Sequence, residues 1–129
     1  MESSVIHDED PQDLLPLSES VFQIMLSLVD RDRHGYGIIK EVEGRTDGRI
    51  SLAPGTLYGA IKRLRHQRLI AEVEEKADAE PGDERRRYYT LTGLGQRVVR
   101  AEAARIADLA RQAAAKQLLP GWPQITGST

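Results

Sequence analysis

Cysteine is missing altogether from the 129 residues, which excludes disulfides, thiolate metal sites and a cysteine nucleophile. Aromatic side chains are scarce, with one Phe, one Trp and four Tyr. That is too few for a platform on which single-stranded bases stack. No apolar run approaches the ~20 residues of a membrane span, and the acidic N-terminus lacks the basic-then-apolar order of a secretory signal. A soluble cytoplasmic protein without a membrane partner is the expectation. An excess of basic residues is missing too: eighteen Lys and Arg stand against twenty Asp and Glu, a formal charge of −2. At first sight that is a poor match to nucleic acid. His7, His34 and His66 have no metal-ligand spacing, and no nucleophile–base pairing or phosphate-cradling glycine loop is recognisable. The chain therefore reads as a non-enzyme with no metal and no cofactor. Its length suits one domain with one core.

The net charge hides an uneven distribution. Residues 1–20 carry six acids and no Lys or Arg, so setting that −6 aside turns the net −2 into +4 for the remainder. Lys62, Arg63, Arg65 and Arg68 crowd residues 54–70, a stretch without an acid. Seven acids against Lys76 alone fill residues 72–84, and Arg85, Arg86 and Arg87 follow at once. A charge run is most often a solvated face. The elements that carry these runs decide what they mean.

Residues 1–15 show no apolar period and read as a disordered acidic arm. Ser18 is a fitting N-cap for a first helix over about 18–30. Val21, Ile24, Met25 and Leu28 recur there at helical spacing, with Phe22, Leu26 and Val29 widening the stripe. A helix apolar over so much of its circumference has to be covered on several sides, by core and by a subunit interface. A charged turn, Asp30 to Gly35, leads to a second helix over about 36–46, which Asp47 and Gly48 end. Ile50 to Leu52 is a short extended piece. Pro54 suits the first position of a third helix, where its missing N–H costs nothing. That helix spans about 54–68, with Leu57, Ala60, Ile61 and Leu64 in one narrow sector. Gly55, Gly59, Lys62 and His66 lie opposite, flanked by Thr56, Tyr58 and Arg63.

Residues 69–74 alternate apolar and acidic, as a strand does, and Arg85–Leu91 reads as its hairpin partner across a loop containing Pro81 and Gly82. Along that second strand Arg85, Arg87 and Tyr89 share one face while Arg86 and Tyr88 share the other. Thr92 can cap a last helix over about 92–117, in which Val99, Ala103, Ile106, Ala110 and Ala113 form a narrow coiled-coil-like seam widened by Leu109. A helix of ~25 residues at the end of so small a domain needs a partner. The expected interface with a second copy comprises Val21, Ile24, Met25 and Leu28 of the first helix with Val99, Ile106, Leu109, Ala110 and Ala113 of the last.

Three helices followed by a hairpin give the order of a winged helix-turn-helix domain. The fold class is mainly α with a small β-hairpin: an acidic arm (1–15), a winged domain (16–91), a long C-terminal dimerisation helix (92–118) and a flexible tail (119–129). In such a fold the third helix stands on the surface and can enter the ~12 Å major groove of duplex DNA. Here it is apolar inside and basic or small outside. The same scaffold can also serve as a protein–protein module, which would lack a salt-dependent affinity for duplex DNA.

Four segments in this order resemble the PadR family of transcriptional regulators. They are Leu17–Ile24 (LSESVFQI), His34–Ile38 (HGYGI), Pro54–Tyr58 (PGTLY) with Ile61, Arg63 and Leu64, and Arg86–Thr92 (RRYYTLT) with Gly95. The resemblance covers roughly residues 15–115 and the short form with a single helix after the wing. It implies a homodimeric winged-helix repressor whose last helix packs against its partner, relieved in some members by phenolic or lipophilic effectors; a symmetric dimer in turn calls for a palindromic operator. Residue by residue, it places Tyr36 and Gly37 near the DNA backbone and Pro54, Gly55, Thr56 and Tyr58 at the start of the recognition helix. Lys62 and Arg63 follow along that helix, and Arg86 and Arg87 make the basic wing strand; Gly59 on the outward face and Arg85 beside the pair join them from the residue pattern. The acidic wing tip should be repelled by phosphate and stay outside the groove. Tyr36, Tyr88 and Tyr89 can alternatively be packing residues. No tryptophan lies between residues 92 and 117, and Trp122 stands beyond the helix.

Overall fold

In the computed structural model, residues 10–73 and 87–123 are described. Ser18 opens α1 (Glu19–Leu26), its side chain accepting a hydrogen bond from the Val21 N–H at 3.2 Å. The helix stops at Leu26 rather than near residue 30. The Ser27 hydroxyl donates to the Ile24 carbonyl at 2.6 Å, and Arg33 Nε donates to the Ser27 carbonyl at 2.6 Å. These side chains take carbonyls that a continuing helix would use, and the chain turns.

The turn holds a strand that the sequence does not announce. β1 (Arg33–His34) pairs antiparallel with residues 88 and 89 of the wing. His34 then caps α2 (Gly35–Arg45), its Nδ1 accepting from the Gly37 N–H at 3.0 Å. Gly48, at φ +79°, turns the chain after α2. Pro54 takes the first turn of α3 (Pro54–His66), whose cap residue Ala53 makes no side-chain hydrogen bond. Leu57, Ala60, Ile61 and Leu64 are buried, the sector expected to face inward.

β2 (Ile70–Val73) and β3 (Tyr88–Leu91) form the hairpin, with Ile70 opposite Leu91 and Glu72 opposite Tyr89. The sheet order is β1-β3-β2. Thr92 caps α4 (Gly93–Ala115), accepting from the Gly95 N–H at 3.0 Å and donating to the Arg68 carbonyl at 2.6 Å. Gly95 lies against backbone: a Cβ there would stand 2.0 Å from the Leu69 carbonyl oxygen. Glycine is what lets α4 seat on the root of the wing. Thus four α-helices and a small three-stranded sheet make up the described residues, the mainly helical winged fold expected.

Three features depart from the sequence reading or go beyond it. The arm expected over residues 1–15 is built from residue 10 onward; the rest of it, residues 1–9, lies outside the described residues. Pro11–Leu14 forms a 3-10 turn capped by Asp10, and Leu14, Leu15 and Leu17 pack on the core. Their apolar burial offsets the ordering entropy that a purely acidic arm could not.

Second, Ile24, Met25, Leu28 and Val99 are buried inside the protomer. They contribute to the core and have no surface to offer a second copy. Val21 is half-buried against the same core, whereas Ile106 and Leu109 are exposed and Ala110 and Ala113 half-exposed.

Third, an acid faces inward. Glu102 is buried on α4, its Oε2 accepting from the Leu17 N–H at 3.2 Å and its carboxylate held by Arg105 at 2.7 and 2.9 Å. The Arg105 hydrogen bonds, with help from the Leu17 amide, hold its carboxyl below the usual range against the opposing effect of burial.

Candidate nucleic-acid interface

α3 contains no acid, and its outward side is built from small and cationic residues. Pro54, Gly55, Thr56, Lys62, Arg63, Arg65 and His66 are exposed. A Cβ at Gly55 would meet nothing within 4 Å, and one at Gly59 would meet only Arg63 NH1 at 3.8 Å. Bare glycines are thus not demanded by packing within the protomer. They leave the middle of the helix face low, so that a groove wall could approach its backbone.

Two tyrosines rim this face. Tyr36, at the start of α2, is 56% exposed and Tyr58 of α3 is 48% exposed. Both rings stay about half open to solvent at the rim of this face. Lys40 Nζ lies 5.7 Å from the centroid of the Tyr36 ring, and the His34 ring stacks beside it at 6.5 Å. Tyr58 reaches across to α2, its hydroxyl resting above the Gly35 Cα. A Cβ at Gly37 would meet His34 and Arg33 only at ordinary contact distance, 3.5 and 3.6 Å.

Tyr88 and Tyr89 behave differently. Both are buried, and the Tyr88 ring meets His34 edge-on at 5.2 Å. They pack the wing onto the domain. Burial, reinforced by nearby Tyr58 and Glu72, pushes the Tyr89 hydroxyl above the usual phenol range. Of the arginine triplet, Arg85 and Arg86 lie outside the described residues. Arg87 stands at the entry to β3 with an exposed side chain.

Tyr36, Gly37, Pro54, Gly55, Thr56, Tyr58, Gly59, Lys62 and Arg63 therefore sit on adjoining stretches of α2 and α3, joined by the Tyr58–Gly35 contact. Two further charged residues belong to the same surface. Arg65 NH2 lies 3.4 Å from Glu72 on β2, and Arg87 Nε lies 3.3 Å from the other oxygen of that carboxylate. This trio links α3 to the wing. Arg65 was discoverable from its place seven residues after Tyr58, on the same helix edge; Glu72 reads as one acid among many.

Among the described residues there is no group of His, Cys, Asp or Glu suited to a metal ion, and no helix is long and apolar enough to cross a membrane. A profile of the PadR-like family of transcriptional regulators matches residues 24–101. A solved PadR family transcription regulator from Clostridium difficile superposes with a TM-score of 0.64 at 25% identity, covering 78% of this chain and 99% of that one. An uncharacterized 37.1 kDa protein in transposon TN4556 of Streptomyces fradiae is 35% identical over 86 residues, which is 67% of this chain and 22% of that protein. The transcriptional regulator YqjI of Escherichia coli is 37% identical over 54 residues, 41% of this chain and 26% of its own length. The chain thus spans about a quarter of these two relatives. With the family match running from α1 into α4, the chain belongs to the PadR-like family, a family of transcriptional regulators and not of enzymes.

Proposed function

We propose that the protein is a DNA-binding transcriptional regulator, a homodimeric repressor acting in the cytoplasm on a palindromic operator. The observation that carries this reading is the acid-free outward face of α3, with Lys62 and Arg63 beside two bare glycines and two exposed tyrosines. Its small centre admits the groove, its cations meet phosphate, and Thr56 and Tyr58 are placed for base edges or sugar. A symmetric dimer would set two copies of α3 in successive major grooves, with half-site centres about one helical turn (~10 bp) or a multiple apart.

The second copy is called for by α4. Its buried residues end at Glu102, and beyond it Ile106 and Leu109 stand 41% and 51% exposed. A free helical half of that kind is marginal in water and gains from pairing. A recess between α1 and α4, lined by apolar Leu17, Phe22 and Ile106 and by polar Glu19, Gln23, Glu102 and Arg105, is a candidate seat for a small lipophilic or phenolic effector. Occupancy there would alter the spacing of the paired α3 helices and so release the operator.

Titrating salt against affinity for the protein's own promoter fragment tests the reading. A steep negative slope is expected, and Lys62→Ala or Arg63→Ala should each flatten it by about 0.9 per protomer, about 1.8 for a dimer that loses the contact in both half-sites. A slope near zero for the parent protein would leave the scaffold as a protein–protein module instead.

A further inference from the structure

Glu72 lies directly across the hairpin from Tyr89, so both side chains leave the same face of the sheet, toward the rim of α3. There one carboxylate serves two cations, Arg65 of the helix at 3.4 Å and Arg87 of the wing at 3.3 Å. The anion is the better-held member. Its side chain is 27% exposed, against 45% for Arg65 and 70% for Arg87. The cations ride on long, mobile stems and carry donors that one carboxylate cannot all use.

We infer that Glu72 is an internal counter-anion that limits the affinity for duplex DNA. In the free protein it occupies Arg65 and Arg87; on DNA those guanidinium groups turn from the carboxylate to backbone phosphates. The inference rests on the DNA-binding reading above. Exposed ion pairs at these distances contribute little in water, so exchanging the carboxylate for a phosphate costs little. What remains in the complex is a fixed negative charge beside the phosphates, which reduces the charge the trio can bring from +2 to +1. Sequence-independent affinity is set by the number of phosphates neutralised. An acid at this point therefore lowers it without touching any group that would read bases.

The test is fluorescence anisotropy with a labelled mixed-sequence duplex of about 30 bp over a range of KCl concentrations, comparing the full-length protein with Glu72→Gln. The substitution keeps the shape and removes the charge. It should tighten binding about three- to tenfold at low salt and steepen the salt slope by up to about 1 per protomer bound. In an Arg65→Ala/Arg87→Ala background the same change should gain less than about twofold, because the cations it would release are gone. Unchanged or weaker binding by Glu72→Gln would overturn the inference, and a lowered melting temperature beside it would make the carboxylate a brace for the wing. An equal gain in the double-alanine background would also overturn it, leaving only general repulsion between acid and DNA. If neither parent nor variant binds duplex, the DNA-binding reading fails and takes this inference with it.

Discussion

The Tyr58 hydroxyl sits so close to Gly35 that a methyl group on that glycine would stand 2.1 Å from Oη and 2.6 Å from Cζ. The contact ties the start of α2, where Tyr36 is presented, to the outer edge of α3. It sets two exposed tyrosines at a fixed separation without any hydrogen bond being required. The atoms in the way belong to the far end of a side chain, so a larger residue at 35 would push Tyr58 aside and leave the backbone in place.

Gly35→Ala should therefore spare the fold and damage recognition. Alanine suits a first helical turn better than glycine, so stability should change by less than about 1 kcal/mol. Operator affinity should fall about tenfold, within the 1–3 kcal/mol that a good base contact contributes. Adding Gly35→Ala to Tyr58→Ala should cost almost nothing more, a non-additivity that calorimetric melts and anisotropy can read together. Additive losses would mean that Gly35 acts on DNA independently of Tyr58.

The buried carboxylate of Glu102 gives the fold a pH dependence whose sign follows from its partners. Arg105 and the Leu17 amide favour the charged form, so the folded-state pKa lies below the unfolded one. A group shifted in that direction contributes stability above its unfolded pKa, roughly 4.3, and loses that contribution as pH falls through the folded value. Glu102→Gln should cost about 1.5–3 kcal/mol at pH 7, the scale of a hydrogen bond to a charged group. The gap between parent and variant should close as pH is taken below about 4. Urea midpoints measured across pH check this; a gap that stays constant would mean that the charge of Glu102 is not what matters.

What the pattern of residues reveals and conceals follows from how far each signal reaches along the chain. Capping and turn chemistry is local. Ser18, His34, Pro54 and Thr92 mark helix starts with their own neighbours, and their four helices lie where expected within a few residues. β1 is non-local: two residues with no alternation become a strand only because Tyr88 and Tyr89 arrive beside them. Hydrophobic period reports that a face is covered but not what covers it. Ile24, Met25 and Leu28 are therefore legible as hidden, yet their cover is the protomer's own core. Glu102 escapes the same reading because an acid breaks the stripe that Val98 and Val99 begin, although it follows them at helical spacing. On the candidate DNA face, the small-and-basic side of α3 is legible from spacing alone, while the Glu72 pairing across α3 and the wing is not.

The far half of α4 carries the last prediction. After Glu102 no residue of that helix is fully buried, while Ile106 and Leu109 present apolar side chains and Ala110 and Ala113 stay half-exposed beside them. Their small size would let a second helix approach closely, as in a narrow seam. Asp108 and Arg111, paired at 3.7 Å, give the flank a polar edge. Ile106→Asp and Leu109→Asp each put an unpaired charge where the seam would close, a cost of several kcal/mol in a dry interface. The parent should scatter light as a dimer at micromolar concentration and each variant as a monomer. Because these positions are exposed in the protomer, helical content near α1 and the wing should persist in the variants. Affinity for a palindromic operator should nonetheless drop by about a hundredfold or more, since a monomer loses the second half-site and with it the effective concentration that linkage provides. A variant that remains dimeric would move the interface away from this face of α4 altogether.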